Sequence, residues 1–314
     1  MAQLEIIRYS PDMKREWDEF IDRSKNGTFL LKRDYMDYHA DRFSDYSLIF
    51  SKGGSIQGVL PACKSDTALV SHGGLTYGGY IMSRKTTMED TLRFFQMLIS
   101  LLREEGFNEL RIKPVPHIYH SLPSEEDLYA LFRLEAQLIV RNVSATIFMP
   151  DRPTFRKDRK AGARRAESRG IRVMESTDYQ SFWTILRDNL AAKYDASPVH
   201  SLEEIKKLSA AFPENIKLYE ATMPNGEHVG GTVLFITPQV VHAQYISATP
   251  EGKKMGAVDI LFDHLITDTY KNCRYFDFGT SNEDGGRVLN EPLICQKEGF
   301  GARAICYDTY SVKI

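Results

Sequence analysis

The spacing of apolar residues along the chain changes between two periods, and one stretch contains both. Residues 241–246 alternate between apolar and polar and are rich in Val, Ile and Tyr, which predicts a half-buried strand. Beyond Gly256 the apolar side chains recur at helical spacing, which predicts a helix packed on one face. Residues 247–256 contain Pro250 and Gly252, and these two residues predict a tight polar loop.

This predicted loop carries Lys253 and Lys254 together with two glycines, directly before a helix N-terminus. Unpaired backbone N–H groups and the positive end of the helix dipole favour a bound anion at such a place. A phosphate or pyrophosphate group is therefore one interpretation. A strand-to-helix turn with solvated lysines is the other, because one glycine-rich turn does not decide between them.

The pattern in the first half of the chain predicts a mixed α/β domain. The aromatic-rich segment 29–43 fits either a packed helix or the wall of a substrate groove. The glycine-rich segment 72–80 leads into more strand, which is typical of a bulge rather than of a phosphate loop. The predicted strands are 4–9, 47–50, 57–62, 68–71, 80–82, 108–113 and 144–149, and the predicted helices are 10–24, 29–43, 86–105 and 125–135.

Residues 152–172 form the sharpest change in composition, because arginine and lysine dominate them. The pattern predicts a helix that ends at Gly170. Such a basic run is either a footprint for phosphate groups or a solvated helix that joins two domains. We expect a first domain over 1–151, a basic linker helix over 152–170 and a second domain over 171–314.

In the second half, strand patterns again alternate with helical ones. Ser201 and Glu204 have the spacing of a capping box, which predicts a helix over 202–212. The preceding segment 189–200 is polar and contains a proline, so it is predicted as a loop. A further helix is predicted from Asp178, and the predicted strands are 171–174, 216–222, 228–236, 274–278 and 304–312.

Bulk composition excludes several classes of protein. The chain has 314 residues, is 42% hydrophobic and carries a net charge of -2, which is typical of a globular protein rather than a polyelectrolyte. Its four cysteines form no C-x-x-C pair, so neither a zinc ribbon nor a redox pair is predicted, and the sequence predicts no metal site. No signal peptide and no apolar run of about 18 residues is evident, so we expect a cytoplasmic protein without a membrane span.

Several segments of the second half together resemble the GNAT (Gcn5-related) acyltransferase core. The resemblance is closer to the branch that holds the Fem-type peptidoglycan aminoacyltransferases and their bacterial GNAT relatives. It rests on the segments 241–246, 251–257, 276–281 and 289–301, and the basic segment 160–167 is similar to part of the same group. The resemblance implies an α/β (α+β) fold of two tandem GNAT-like domains. Each would be a mixed, mostly antiparallel sheet flanked by helices, with a degenerate N-terminal copy.

The resemblance also implies an activity, which is transfer of an acyl group from acyl-CoA to an amine by direct attack in a ternary complex. GNAT proteins hold the donor pyrophosphate with a loop of the form Gln/Arg-x-x-Gly-x-Gly/Ala. This chain offers Lys253-x-x-Gly256-x-Val258, in which the last small residue is missing. That departure leaves room for an aminoacyl-tRNA donor, or for a donor phosphate that is held less closely. The donor-binding residues implied are Gln244, Ile246, Gly252, Lys253, Lys254, Gly256 and Ala257.

The acceptor implied is a small-molecule or peptide amine. Its binding residues are expected among Lys193, His200, Asn290, Gln296 and Lys297. Lys297 follows Gln296 in a predicted polar loop, where it would meet a carboxylate or phosphate or remain solvated. A capping environment is the alternative for His200.

Catalysis needs a base for the amine and a donor to the carbonyl oxygen. Asp277 is the first candidate for the base, because burial in an aromatic strand is expected to raise its pKa; bracing of a turn is the alternative. Tyr245 is a candidate to return a proton to the leaving group, or else a packed tyrosine. His242 and Tyr245 are three apart on one strand, so their side chains are expected on opposite faces. A bulged strand around 244–247 would supply the N–H donor.

Three functions remain open from the sequence. The first is an N-acyltransferase, such as an N-acetyltransferase, that uses acetyl-CoA or another acyl-CoA. The second is a Fem-type transferase that adds amino acids from tRNA to a bacterial cell-wall precursor, which the basic segment favours. The third is a non-catalytic protein that binds a nucleotide-bearing ligand or a partner.

Overall fold

The computed structural model describes residues 3–194 and 196–314, and for Lys193 and Tyr194 it describes the backbone alone. The chain forms two compact units. The first comprises Met1–Asn142, Asn282–Val288 and Cys306–Ile314, and the second comprises Val143–Ser281 and Leu289–Ile305. None of the described helices is long and apolar enough to cross a bilayer.

The first unit contains two groups of strands. Its elements are the strands β1 (Leu4–Arg8), β2 (Ser44–Asp45), β3 (Leu48–Lys52), β4 (Ser55–Leu60), β5 (Cys63–Ser65), β6 (Ala68–Val70), β7 (Ile81–Met82), β8 (Glu109–Ile112) and the start of β9 (Gln137–Phe148), with the helices α1 (Lys14–Arg23), α2 (Arg33–Met36), α3 (Met88–Glu104) and α4 (Glu126–Arg133). Strands β1, β3, β4 and β7 are antiparallel in this order. Strand β6 pairs antiparallel with β5 and parallel with β8.

Helix α3 organises the core of the first unit. Its N-terminus is capped by Thr87, whose hydroxyl accepts the backbone N–H of Asp90, as expected of threonine at this position. Phe94, Phe95 and Leu98 are spaced so that they lie on one face of the helix, and all three are buried. They pack against apolar side chains of the strands.

The second unit is one mixed sheet with helices on it. Its helices are α5 (Lys157–Ser168), α6 (Tyr179–Tyr194), α7 (Leu202–Ala211), α8 (Pro250–Met255), α9 (Ala257–His264) and α10 (Glu291–Glu298), and its strands are β10 (Arg172–Ser176), β11 (Ile216–Thr222), β12 (His228–Ile236), β13 (Val240–Ala248) and β14 (Tyr275–Thr280). Of the last strands in the chain, β15 (Asn282–Glu283) belongs to the first unit, β16 (Val288–Leu289) begins there, and β17 (Arg303–Lys313) begins in the second unit and continues in the first. Strands β10 to β13 are antiparallel in order, β13 and β14 are parallel, and β14 pairs antiparallel with the end of β9. The last residues of β17 pair with β8 within the first unit.

Both units contain mostly antiparallel sheets flanked by helices, so the predicted fold class is confirmed. The capping box of Ser201 and Glu204 is present, with both reciprocal hydrogen bonds. The predicted basic helix is α5, and it packs against α9 within the second unit, where Arg159 forms an ion pair with Asp259 at 2.7 Å. Gly170 follows α5 with a φ of 76°, which only glycine adopts at little cost.

Four of the predicted elements are wrong. The predicted helix 29–43 is reduced to the single turn of α2 between 3-10 turns, because Phe29, Leu30 and Leu31 are all buried and leave no exposed face. The polar segment from Asn189 continues α6 to Tyr194. The predicted loops around Lys253 and Lys297 are helices α8 and α10, because Thr249 and Asn290 each cap a first turn that contains a proline.

Candidate functional site

A β-bulge at Gln244 determines which side chains of β13 share a face. In the ladder with β12, Leu234 pairs with Ala243 and Val233 pairs with Tyr245, so Gln244 is the extra residue. Phe235 pairs with His242. Because paired residues share a face, and residues two apart on β12 share a face, His242 and Tyr245 point to the same side. The expectation of opposite faces is therefore wrong, because the bulge shifts the alternation by one residue.

Strands β13 and β14 separate in the middle of the second unit. Their parallel pairing covers Val240–His242 and Tyr275–Asp277, whereas β13 continues to Ala248 and β14 to Thr280. A cavity of about 640 Å³ lies where they diverge. Its wall is lined by Leu186, Asn189, Leu190 and Ala192 of α6, Ile246, Ser247 and Ala248 of β13, Lys253, Val258, Phe262, Phe278, Leu293, Gln296, Lys297 and Phe300.

The structure brings four of the predicted binding residues together in this wall. They are Ile246 and Lys253, predicted for the donor, and Gln296 and Lys297, predicted for the acceptor. The ammonium group of Lys253 donates to Oδ1 of Asn189 at 2.8 Å, across the wall to α6. The two predicted donor residues lie at least 43 positions before the two predicted acceptor residues in the sequence, so only folding brings the two pairs together.

The predicted anion loop is closed. The hydroxyl of Thr249 accepts the N–H of Gly252 at 3.0 Å, and the N–H of Gly256 is bonded to carbonyl groups of α8. Gly252 is buried against β12, where a β-carbon would overlap the carbonyl oxygen of Val229. Gly256 has a φ of 90° and is buried against the backbone of Gly162 in α5. The glycines thus allow close packing instead of wrapping a phosphate.

Some predicted residues lie outside the cavity wall. Among the residues that the structure describes, Lys254 is exposed on α8, and Gln244, Gly252, Gly256 and Ala257 do not line the cavity. The carboxamide of Asn290 accepts the N–H of Leu293 and so caps α10. The side chain of Lys193 lies outside the described part of the chain.

Tyr245 and His200 form a buried pair beside α6. The tyrosine hydroxyl lies 2.5 Å from Nδ1 of His200 and accepts the backbone N–H of the same residue at 3.2 Å. The carbonyl oxygen of His200 in turn accepts Nε1–H of Trp183, whose ring packs edge-on against Tyr245. The hydroxyl of Tyr245 therefore faces the segment before α7, and neither residue lines the cavity.

Lys297 is a buried cation in the cavity wall. Its ammonium group donates to the carbonyl oxygens of Gly279 and Thr280 at 2.9 and 2.8 Å and to the hydroxyl of Ser281 at 3.0 Å. These bonds hold α10 against the end of β14. Burial lowers the pKa of Lys297 to about 8, while the nearby carboxylate of Asp277 acts in the opposite direction.

Asp277 is fully buried and accepts hydrogen bonds from three side chains. Oδ1 accepts the hydroxyls of Ser144 and Thr146 on β9, each at 2.6 Å, and Oδ2 lies 2.6 Å from Nδ1 of His242. Burial raises the pKa of this carboxyl group, but the bonds from His242, Ser144 and Thr146 outweigh that effect and hold the pKa below its ordinary value. The predicted upward shift is wrong, and Asp277 is an ionised acceptor rather than a base tuned towards neutral pH.

His242 is a residue that the sequence interpretation did not assign to the site. A signal for it was present, because His242 is the one histidine of β13 and Asp277 is the one carboxylate of β14. In parallel neighbouring strands such residues can meet in register. The parallel ladder pairs these two residues directly.

A family model for the acetyltransferase (GNAT) domain matches residues 153–284. This segment of the chain therefore matches the GNAT domain family. The matched range contains α5, the sheet from β10 to β14 and most of the cavity wall. Curated protein sequences include none that matches the chain significantly.

Solved structures extend the likeness in fold to both units of the chain. A structure of FemX has a TM-score of 0.70 at 11% identity and covers 99% of this chain and 97% of its own. L-PGS from Bacillus licheniformis has a TM-score of 0.62 at 11% identity, covering 96% and 91%. A tandem GNAT protein from the clavulanic acid biosynthesis pathway has a TM-score of 0.52 at 10% identity, covering 99% and 98%. These likenesses confirm the predicted tandem GNAT fold.

Proposed function

We propose that this protein is an N-acyltransferase whose acyl group enters the cavity between β13 and β14. The divergence of these two strands is the observation that carries the proposal, because it opens an apolar cavity next to strand backbone. Beyond His242 the edge of β13 has no described pairing with β14. Backbone N–H groups on such an edge can donate to the donor's carbonyl oxygen as negative charge develops on it.

The wall of the cavity suits an acyl chain with a polar reacting end. Phe262, Phe278 and Phe300 form one apolar side and exclude water, which strengthens electrostatic interactions inside. Lys253 lies in the same wall and is exposed, so it can meet an anionic donor tail. The acceptor is a small-molecule or peptide amine.

Acyl-CoA is the first donor class that we propose. Since the amides of Gly252 and Gly256 are engaged within α8 and its cap, the donor phosphates would be held by lysine side chains. Isothermal titration calorimetry with acetyl-CoA tests whether the lysine side chains hold the donor. We expect Lys253→Ala to weaken binding about tenfold, the loss of one charge-assisted hydrogen bond, while Lys254→Ala changes it less.

A second pair of variants tests the cavity itself. Ala192 lines the cavity, and Val199 is 73% exposed and does not. We expect Ala192→Trp to abolish measurable donor binding, because the indole would fill space that the acyl group needs. Val199→Trp places the same indole in solvent and should bind like wild type. Equal binding by both tryptophan variants contradicts the proposed cavity.

An aminoacyl-tRNA donor is the second candidate, favoured by the surface of α5. Lys157, Lys160, Arg164 and Arg165 are exposed, and among the described residues they form no ion pair. A row of unpaired cations is suited to a nucleic-acid backbone. The test is transfer of a labelled amino acid from tRNA to an amine. Transfer by wild type that is lost in the double variant Arg164→Ala/Arg165→Ala, and also lost at high salt, would support this donor. If neither acetyl-CoA nor aminoacyl-tRNA binds, the chain is a non-catalytic GNAT protein.

A further inference from the structure

His242 lies at the point where the two central strands separate. It is in the last described pair of the parallel ladder, directly opposite Asp277. Its side chain is 12% exposed, whereas that of Asp277 is fully buried. The ring lies against Gly279, where a β-carbon would approach Cε1 to 3.3 Å.

The surroundings fix the hydrogen on the imidazole ring. Asp277 is ionised, and its Oδ1 is held by two hydroxyls of β9, so Oδ2 can only accept from Nδ1 of His242. In the neutral ring Nδ1 then carries the hydrogen and Nε2 keeps its lone pair. Among the described residues, Asp277 is the one hydrogen-bond partner of this ring. Nε2 therefore keeps a lone pair to which no described residue donates a hydrogen bond.

We propose that His242 accepts the proton of the attacking amine through Nε2, with Asp277 as the positioning residue. The inference rests on the proposed N-acyl transfer. The amine nitrogen bonds to the donor carbonyl carbon as its proton passes to Nε2. The carbon–sulfur bond of a thioester, or the carbon–oxygen bond of an ester, then breaks, and the imidazolium returns that proton to the leaving group.

The charged groups at this pair favour such a cycle. Asp277 faces the ring from β14 and stabilises the imidazolium, while Lys297 from α10 acts on the same carboxylate. The other neighbours of this pair are neutral. Ser144 and Thr146 of β9 donate to Asp277, and Phe235 of β12 pairs with His242. General-base catalysis requires an imidazole that is neutral before the attack and protonated after it.

Kinetics of His242→Gln test the proposal. The glutamine amide can still donate to Asp277, so we expect the variant to fold, and its thermal midpoint and circular dichroism check this. With acetyl-CoA or an aminoacyl-tRNA and a panel of primary amines, we expect kcat to fall at least 100-fold, the usual worth of a general base. The donor Kd should stay within about twofold. His264→Gln, at the end of α9 with a half-buried side chain, is the matched control and should retain wild-type kcat.

Two further measurements separate proton acceptance from a structural role. The pH–rate profile of wild type should lose activity on its acidic side through one ionisation, and Asp277→Asn should shift that ionisation to lower pH. Retained kcat in folded His242→Gln, or a wild-type profile without an acidic limb, overturns the inference alone. If wild type turns over neither donor, the proposed function fails and this inference fails with it. If His242→Gln does not fold, the wild-type profile and its shift in Asp277→Asn decide.

Discussion

Asp127 is a buried acid whose replacement should stabilise the protein at high pH. It lies in the first turn of α4 with 2% exposure, and its Oδ1 accepts the backbone N–H of Leu128 at 2.9 Å. Among the described residues no cation forms an ion pair with it. Burial raises the pKa of Asp127 to about 7, and the nearby carboxylates of Glu126 and Glu125 act in the same direction.

The size of the effect follows from linkage. The folded pKa is about 7 and the ordinary value is 3.8, so between these values the folded state binds more protons than the unfolded state. Stability is therefore lost as pH rises from about 4 to 7, and the loss stays constant above. The full difference in pKa corresponds to about 4 kcal/mol of unfolding free energy. About 2–3 kcal/mol of this should be lost between pH 5 and pH 8.

Asp127→Asn removes this charge and keeps the acceptor for Leu128. We expect the variant to gain about 2–3 kcal/mol over wild type on going from pH 5 to pH 8. Urea unfolding, followed by tryptophan fluorescence at both pH values, measures the difference. Asp188→Asn is the control, because that carboxylate is 66% exposed and should show no such gain. A free-energy difference between Asp127→Asn and wild type that does not change with pH would refute the reasoning.

Three other predictions concern the second unit and its cavity. Gly256→Ala should lower the free energy of unfolding by more than about 2 kcal/mol, because it combines a positive φ with overlap on the α5 backbone. Its control is Gly226→Ala, where a similar φ of 87° occurs in open space. That variant should lower the free energy of unfolding by about 1 kcal/mol in the same urea assay. Thr249→Ala removes the cap of α8 and should cost about 1 kcal/mol by thermal unfolding. The depressed pKa of Lys297 means that the folded state loses its proton before the unfolded state does, so the contribution of Lys297 to stability should rise between about pH 8 and pH 10.5. In urea titrations, Lys297→Met should lower the slope of the unfolding free energy against pH over this range. Burial also lowers the pKa of Lys113 to about 8, so Lys113→Met should lower the slope as well; an unchanged slope in both variants would contradict this.

The sequence by itself determined the class of fold and most of its elements. Alternation and helical spacing are local properties, so strands such as β11 and β12 and the capped helix α7 were predicted near their observed bounds. The resemblance carried by 241–257 and 276–301 was enough to predict a GNAT fold. Lys253 became a candidate for donor binding because the positions of lysines and glycines can be read directly from the sequence.

The tertiary structure decided the chemistry of the candidate site. A bulge of one residue at Gln244 brought His242 and Tyr245 to one face, and alternation alone predicted the opposite. Hydroxyls from β9, more than 130 positions away in sequence, reversed the expected shift in the pKa of Asp277. Gly256 was predicted to face a phosphate and instead faces Gly162. A glycine allows two helices to pack closely in the same way that it allows a loop to approach an anion, so the residue type alone does not separate the two roles. A pKa and a side-chain direction depend on neighbours that are distant along the chain, and local patterns do not contain those neighbours.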